Sequence, residues 1–212
     1  MVPFEEVLPT VFQCRLREPE TGTFSYLIRR PQGNLLVDTP PVTDAVLAAI
    51  DAMGGVVALF LTDASHTAKA YTLVERFGCA VIAHEKEVDA TGLPEVHAFS
   101  EDIQWAPEIR LLALPGRTKG SAGLYYEPQR ALFTGDLVTY DGEAFVLGLI
   151  PQDANRMEKR ASILRLVQIP FQTILRAHGN EQAPAIIYNA YPDFAAFVEE
   201  TKQRALMPDD GA

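Results

Sequence analysis

The stretch Val57–His84 constrains the fold of this chain more than any other. It reads as a buried strand (Val57–Thr62), a polar loop (Asp63–Thr67), an amphipathic helix (about Ala68–Phe77) and a second buried strand (Ala80–Ala83). This order is a βαβ unit, and its right-handed crossover places the loop at the carboxyl end of the first strand. Because open α/β proteins bind ligands at that edge of the sheet, we expect the chemistry of the chain there.

Three segments before this unit predict the strands of an antiparallel meander. They are Val11–Leu16, Thr23–Arg30 and Leu35–Asp38, with Thr21-Gly22 and the stretch 31–34 as the turns between them. The two prolines that follow the third strand end it, because proline cannot donate a backbone hydrogen bond.

The rest of the chain alternates between helical and strand patterns in a similar way. The predicted helices are Ala45–Met53, capped by Thr43 or Asp44, and Asp153–Val167, capped by Asp153 or Asn155, with a short helix or turn at Glu85–Ala90 and a helical stretch Ala183–Leu206 broken at Pro192. The predicted strands are Glu95–Phe99, Ile109–Leu114, Gly123–Tyr126, Ala131–Thr134 and Thr173–Ala177. Two similar halves, each a sheet with helices on one side, predict an α/β protein with an αββα four-layer sandwich. We expect a single domain over 1–212, with a frayed tail at 207–212.

Composition excludes some classes of partner. The formal net charge is −10, which argues against nucleic acid or an anionic membrane surface as a partner, since both require basic patches. No window approaches the roughly 18 apolar residues of a membrane helix. The first ten residues carry acids and prolines where a signal peptide has a basic region and an apolar run, so a cytoplasmic location is expected.

Polar residues that follow predicted strands suggest a metal site. Among the four histidines, His66 and His178 lie in loops after buried strands, and Asp136 follows a glycine that lets the backbone turn sharply. Together with Asp63 these residues offer two carboxylates and two imidazoles, a set that suits Zn, Mn or Fe. These residues also have purely structural alternatives: Asp63, Ser65 or Thr67 can cap the helix that starts near Ala68, Asp136 can brace loop amides, and His178 can hydrogen-bond a neighbouring strand end.

Five segments in order resemble the metallo-β-lactamase superfamily of metal-dependent hydrolases. They are LLVDTP, FLTDASHTAKAYTLVERFG, LPGRTKGS, LFTGDL and LRAHGN, which together span most of the chain. The resemblance implies the same αββα sandwich, with a metal site at one edge between the two sheets. It also implies that Asp136 matches the bridging aspartate, His178 the last histidine ligand, and Asp38 an early aspartate that is structural or contacts a ligand residue.

The other ligand positions of that family carry different residues here. Against the pattern Thr-His-x-His-x-Asp-His, Thr62 is kept, and the four ligand positions hold Asp63, Ser65, Thr67 and Ala68. A second register leaves His66 at a polar position and puts Lys69-Ala70 where Asp-His is expected.

The family's Pro-Gly-His-Thr segment has a ligand histidine at the position that Arg117 occupies in this chain. The guanidinium of Arg117 stays protonated and cannot bind a cation. We expect Arg117 to pair with Asp63 or Asp136 in place of the ion, with Lys69 as a further cation.

Three functional hypotheses are consistent with these features. The first is a hydrolase of a small ester or thioester that uses a reduced mononuclear site. The second is a non-catalytic descendant without the standard dinuclear activity, in which protein cations replace the metal and the cleft binds a small anionic ligand. The third is a fold used for self-association as a homo-oligomer. The sequence favours the second, because only Asp136 and His178 match the expected ligands unaltered.

Overall fold

Two large β-sheets pack face to face in the computed structural model, and helices cover both outer faces. The structure describes residues 3–14 and 22–206. The predicted αββα sandwich is therefore confirmed. The end of the first predicted strand at Leu16, most of the Thr21-Gly22 turn and the frayed tail at 207–212 lie outside the described residues.

The first sheet contains seven strands in sequence order. They are β1 (Phe4–Leu8), β2 (Val11–Cys14), β3 (Tyr26–Ile28), β4 (Leu35–Val37), β5 (Ala58–Phe60), β6 (Ala80–His84) and β7 (His97–Phe99). Strands β1 to β4 pair antiparallel, which confirms the meander, and β4 to β7 pair parallel. Strand β1 was not predicted, because its acids Glu5 and Glu6 interrupt the apolar pattern, and both are exposed.

Helices α1 (Asp44–Ala52) and α2 (Ala70–Phe77) cover the outer face of this sheet, and a short helix α3 (Val88–Thr91) precedes β7. The Thr43 side chain caps α1 by accepting a hydrogen bond from the Val46 amide. Gly78 ends α2 with a φ of +62°, a conformation that favours glycine at a helix C-terminus.

The second sheet is built from the second half of the chain. Its strands are β8 (Ile103–Ala106), β9 (Ile109–Ala113), β10 (Ala122–Tyr126), β11 (Ala131–Gly135), β14 (Thr173–Arg176) and β15 (Ile186–Ile187). Between β11 and β14 the chain forms a separate hairpin of β12 (Thr139–Tyr140) and β13 (Phe145–Val146). The spatial order is β15-β14-β11-β10-β9-β8, and the β11–β14 pair is parallel. The two-residue strands were not predicted, since so short a segment carries no period.

Helices α4 (Arg156–Arg165) and α5 (Tyr191–Leu206) cover the outer face of the second sheet. Of the two caps proposed for α4, Asn155 caps it by accepting hydrogen bonds from the Met157 and Glu158 amides. The prediction of a helix from Ala183 was wrong, because residues 186–187 form β15 and the helix starts at Tyr191. Pro192 lies in the first turn of α5, where its missing N–H costs no intrahelical bond.

The main core lies between the sheets, where Tyr26 and Phe133 meet edge to face with ring centroids 5.3 Å apart. At one edge of the sandwich the two sheets are joined by backbone hydrogen bonds. The Ala122 amide donates to the Thr62 carbonyl at 2.7 Å, and the Phe24 amide donates to the Ala177 carbonyl at 2.6 Å. The parallel strands β4, β5, β11 and β14 all end at this edge.

Candidate metal centre

Polar side chains follow each of the four parallel strands at this edge. Asp38 follows β4, Thr62 and His66 follow β5, Asp136 follows β11, and His178 follows β14. Gly135 has a φ of +53°, and a Cβ there would lie 2.5 Å from the Thr62 hydroxyl. The close approach of β11 to Thr62 therefore requires glycine at this position, and it brings Asp136 toward His66.

His66, Asp136 and His178 form a compact group of potential metal ligands. Each offers one ligand atom, and these atoms lie within 4.8 Å of one another. Asp136 lies between the two imidazoles: Oδ2 is 3.6 Å from His66 Nε2, and Oδ1 forms a close hydrogen bond with His178 Nδ1. His178 Nε2 is 3.2 Å from the Thr23 hydroxyl on the other sheet.

Asp38 and Thr62 fix the orientation of the His66 ring. Nδ1 of His66 is 3.0 Å from both the Asp38 carboxylate and the Thr62 hydroxyl. The Thr62 hydroxyl donates its hydrogen to Asp38 at 2.8 Å, so His66 Nδ1 must be the donor in its contacts with Thr62 and Asp38. Asp38 adopts a φ of +60°, which non-glycine residues rarely adopt. This network directs Nε2 toward Asp136.

The Nε2 atom of His66 is buried and has no hydrogen-bond partner among the described residues. Buried polar atoms without partners are rare and mark places where a ligand, ion or water binds. Two nitrogens and a carboxylate oxygen are donors that Zn²⁺, Mn²⁺ and Fe²⁺ accept. The three residues therefore fit a divalent cation.

The electrostatics of the group favour positive charge. Burial by itself would lower the pKa of His66, but Asp38, Asp136 and Asp63 raise it to about 11. Burial would likewise raise the pKa of Asp136, but the neighbouring imidazoles of His178 and His66 hold it well below its usual range. The site thus has a strong negative potential at His66 Nε2.

Asp63, the fourth residue of the predicted ligand set, is not part of this group. Its carboxylate accepts hydrogen bonds from the Ser65 amide at 2.8 Å and from the Ser65 hydroxyl, and so caps the short 3₁₀ turn Ala64–His66. Burial raises the pKa of this carboxyl. The structural alternative noted from the sequence placed this cap on the helix that starts near Ala68, whereas in the structure Asp63 caps the preceding 3₁₀ turn, which presents His66 to the site.

The ion pair expected between Arg117 and Asp63 or Asp136 is wrong. Arg117 lies 3.8 Å from Asp153, whose other partner is the buried Lys159 at 3.0 Å. Lys69 is exposed at the start of α2 and forms no ion pair within the described residues. Neither cation neutralises the predicted carboxylates, because the local turn at Ser65 and the two imidazoles already occupy them.

A buried carboxylate joins the loops that carry His66 and Arg117. Glu87 accepts from the Ala64 amide at 3.0 Å and from the Gly120 amide at 2.7 Å. Glu87 could not be singled out from the sequence, because it belongs to a charged run, Glu85-Lys86-Glu87, that is typical of a solvated turn.

Two clefts of about 230 Å³ each flank the metal-ligand group. His66 lines the first with Ser65 and Lys69, next to Thr39 and the two prolines after it. Asp136 and His178 line the second, with Arg117, Lys159 and Arg176. Lys159 and Arg176 were not among the predicted site residues. The one available signal was the position of Arg176 at the end of β14, two residues before His178.

Comparison with known proteins identifies the family. A family model described as the metallo-beta-lactamase superfamily matches residues 15–180. The chain belongs to this superfamily. A hydroxyacylglutathione hydrolase of Methylococcus capsulatus (strain ATCC 33009 / NCIMB 11132 / Bath) is 27% identical over 202 residues, covering 89% of this chain and 75% of that protein.

Solved structures of the superfamily share the fold. A metallo-β-lactamase from Hirschia baltica superposes with a TM-score of 0.69 at 20% identity and covers 92% of this chain and 96% of its own. The protein TTHA1623, in a di-iron-bound form, superposes with a TM-score of 0.66 at 22% identity, and the match covers 83% of this chain and 94% of the TTHA1623 chain.

Among the helices of the described residues, none combines the length and the apolar character that a membrane span requires.

Proposed function

We propose that this superfamily member is a metal-dependent hydrolase of small esters or thioesters that uses one divalent cation, held by His66, Asp136 and His178. The observation that carries the proposal is the buried His66 Nε2, which has no hydrogen-bond partner in the described part of the chain, points at the Asp136 carboxylate and lies within 4.8 Å of the other donor atoms. The superfamily fold and the 27% identity to a protein named hydroxyacylglutathione hydrolase, which acts on a thioester, support the reaction class.

The residues around the site have distinct roles in this proposal. When bound, the cation supplies Lewis-acid polarisation of an acyl carbonyl and makes water a better nucleophile near neutral pH. Asp38 and Thr62 hold the Nδ1 side of His66 and keep Nε2 directed at the site. Thr23 holds His178 from the opposite sheet. The two clefts leave room for substrate on both sides of the ligands.

The residues at the other ligand positions of the superfamily favour one bound cation over two. Asp63 is engaged by Ser65, and Thr67 and Ala68 offer no imidazole. Arg117 brings a permanent positive charge to the position where the resemblance implies a histidine. The alternative of a metal-free descendant has lost one of its supports, because Arg117 contacts Asp153 and not the carboxylates it was expected to neutralise.

Metal analysis and thioester hydrolysis test the proposal together. Protein purified without chelator is expected to contain about one equivalent of Zn, Mn or Fe by mass spectrometry and to hydrolyse hydroxyacyl thioesters of glutathione. The His66→Ala and His178→Ala variants should lose both properties. His97→Ala is the matched control, since His97 is exposed on β7. Metal-free protein that stays inactive after incubation with each metal would overturn the proposal.

Asp38→Asn is expected to lower metal affinity about 10- to 100-fold, the range typical for partners that orient a ligating histidine. Asparagine tolerates the positive φ and can still accept from Thr62, so the loop should stay in place. The asparagine side chain can still orient the His66 ring, but it lacks the negative charge of the Asp38 carboxylate. Competition with a fluorescent chelator measures the affinity. An unchanged affinity in a folded variant would show that His66 does not ligate the cation.

A further inference from the structure

The cleft next to Asp136 and His178 carries more positive charge than the structure neutralises. Three of its lining residues are basic, Arg117, Lys159 and Arg176, and Asp136 is the one carboxylate among the residues that line it. Asp153, fully buried beneath the cleft, contacts Lys159 at 3.0 Å. The formal net charge of the chain is −10, so this clustering of basic residues in one cleft is a feature that an anionic ligand would explain.

Arg176 is a buried guanidinium without an ion pair among the described residues. Its residue exposure is 8%, and its hydrogen bonds go to the carbonyl oxygens of Val138, Tyr140 and Pro184. Carbonyl oxygens satisfy Nε and Nη1 but do not neutralise the charge. Nη2 donates no hydrogen bond within the described ranges, although the residue lines the cleft. Arginine is rarely buried unless paired, so this group favours an anion bound in the cleft.

Arg117 presents free donors to the same cleft. Its one ion pair, to Asp153, spans 3.8 Å, which is too long for a hydrogen bond, and its side chain is 26% exposed. None of the hydrogen bonds among the described residues uses this guanidinium. Planar guanidinium groups match the geometry of carboxylate and phosphate oxygens better than a lysine ammonium does.

We infer that Arg117 and Arg176 form a subsite for an oxyanion of the substrate, a carboxylate or a phosphate, next to the hydrolytic centre. The inference rests on the proposed function for its role in catalysis, because it makes the substrate an anionic ester or thioester. In this arrangement Arg117 is a specificity-determining residue that binds the substrate away from the scissile bond.

Direct anion binding tests the subsite without turnover. Sodium acetate and inorganic phosphate are titrated, at constant ionic strength, into the full chain after chelator treatment, and the arginine side-chain resonances are followed by NMR. We expect saturable shifts of the Arg117 and Arg176 signals. Arg117→Gln should weaken binding at least about tenfold, the scale of a charged hydrogen bond, and Arg117→Lys should fall between the two.

A matched arginine provides the control. Arg29 is exposed, stacks on Phe12 and is not one of the residues that line the cleft, so Arg29→Gln should bind both anions as the parent does. Tighter binding of acetate would identify a carboxylate as the recognised group, and tighter binding of phosphate a phosphate ester. Equal affinity in the Arg117→Gln and Arg29→Gln proteins would overturn the subsite.

Kinetics separate this inference from the proposed function. With a thioester that carries a free carboxylate, Arg117→Gln should raise KM about tenfold and leave kcat nearly unchanged, whereas the methyl ester of the same substrate should be unaffected. Hydrolysis without any dependence on Arg117 would contradict the subsite alone. Arg117-dependent anion binding in a protein that takes up no metal would contradict the proposed function alone.

Discussion

Asp136→Asn is expected to reduce the affinity of the protein for a divalent cation by more than about 100-fold, beyond the 10- to 100-fold typical of outer partners. Asp136 is the one carboxylate of the proposed ligand set, and it lies between the imidazoles of His66 and His178. Asparagine keeps the size and can still accept from His178, but it removes the negative charge that attracts the cation. Thioester hydrolysis should fall with metal occupancy.

Isothermal titration with Zn²⁺ and Mn²⁺ measures this effect. The matched control is Asp89→Asn, because Asp89 is exposed on α3. A thermal melt of the metal-free proteins shows whether the Asp136 variant is folded. An affinity within about tenfold of the parent, in a folded variant, would place the cation elsewhere or show that none is bound specifically.

Gly116→Ala is expected to lower the free energy of unfolding by about 3 kcal/mol or more, from overpacking added to backbone strain. Gly116 has a φ of +131°, and a Cβ there would lie 2.0 Å from the backbone nitrogen of Lys159. Helix α4 therefore packs directly on the backbone of the loop that carries Arg117. This packing is reinforced by hydrogen bonds from the Asn155 amide to the Gly116 carbonyl and from Ser162 to the Pro115 carbonyl.

Urea denaturation followed by circular dichroism measures this loss, with Gly78→Ala as the control. Gly78 also has a positive φ, +62°, but a Cβ there meets nothing within 4 Å. Its replacement should cost about 1 kcal/mol, the strain of the left-handed conformation alone. If the two variants lose similar stability, the loop and α4 are not packed as described.

The layers of the fold could be predicted from the sequence because they depend on periodic patterns. The βαβ unit is an example: α2 ends at Phe77, as predicted, because the apolar stripe stops at Gly78. Strand β15 has no such pattern. Its two isoleucines also fit a helix, and their pairing with β14 depends on a tertiary contact that no local window contains.

The candidate site could be predicted only in part, for a related reason. His66, Asp136 and His178 follow buried strands, and parallel strands bring their ends together, so their proximity was accessible from the sequence. Asp63 was assigned to the same group because a capping aspartate and a metal-binding one occupy the same kind of position in a loop. The partner of Arg117 could not be predicted, since the sequence pattern assigns Asp153 only to the start of a helix, and its contact with Arg117 depends on how two segments distant in the chain pack together.

Anomalous X-ray diffraction at the absorption edge of the metal that copurifies with the protein tests the central claim most directly. The account predicts one peak, in contact with His66, Asp136 and His178, and none beside Asp63. Two peaks, or an arginine guanidinium between Asp136 and His178 with no peak at all, would contradict it.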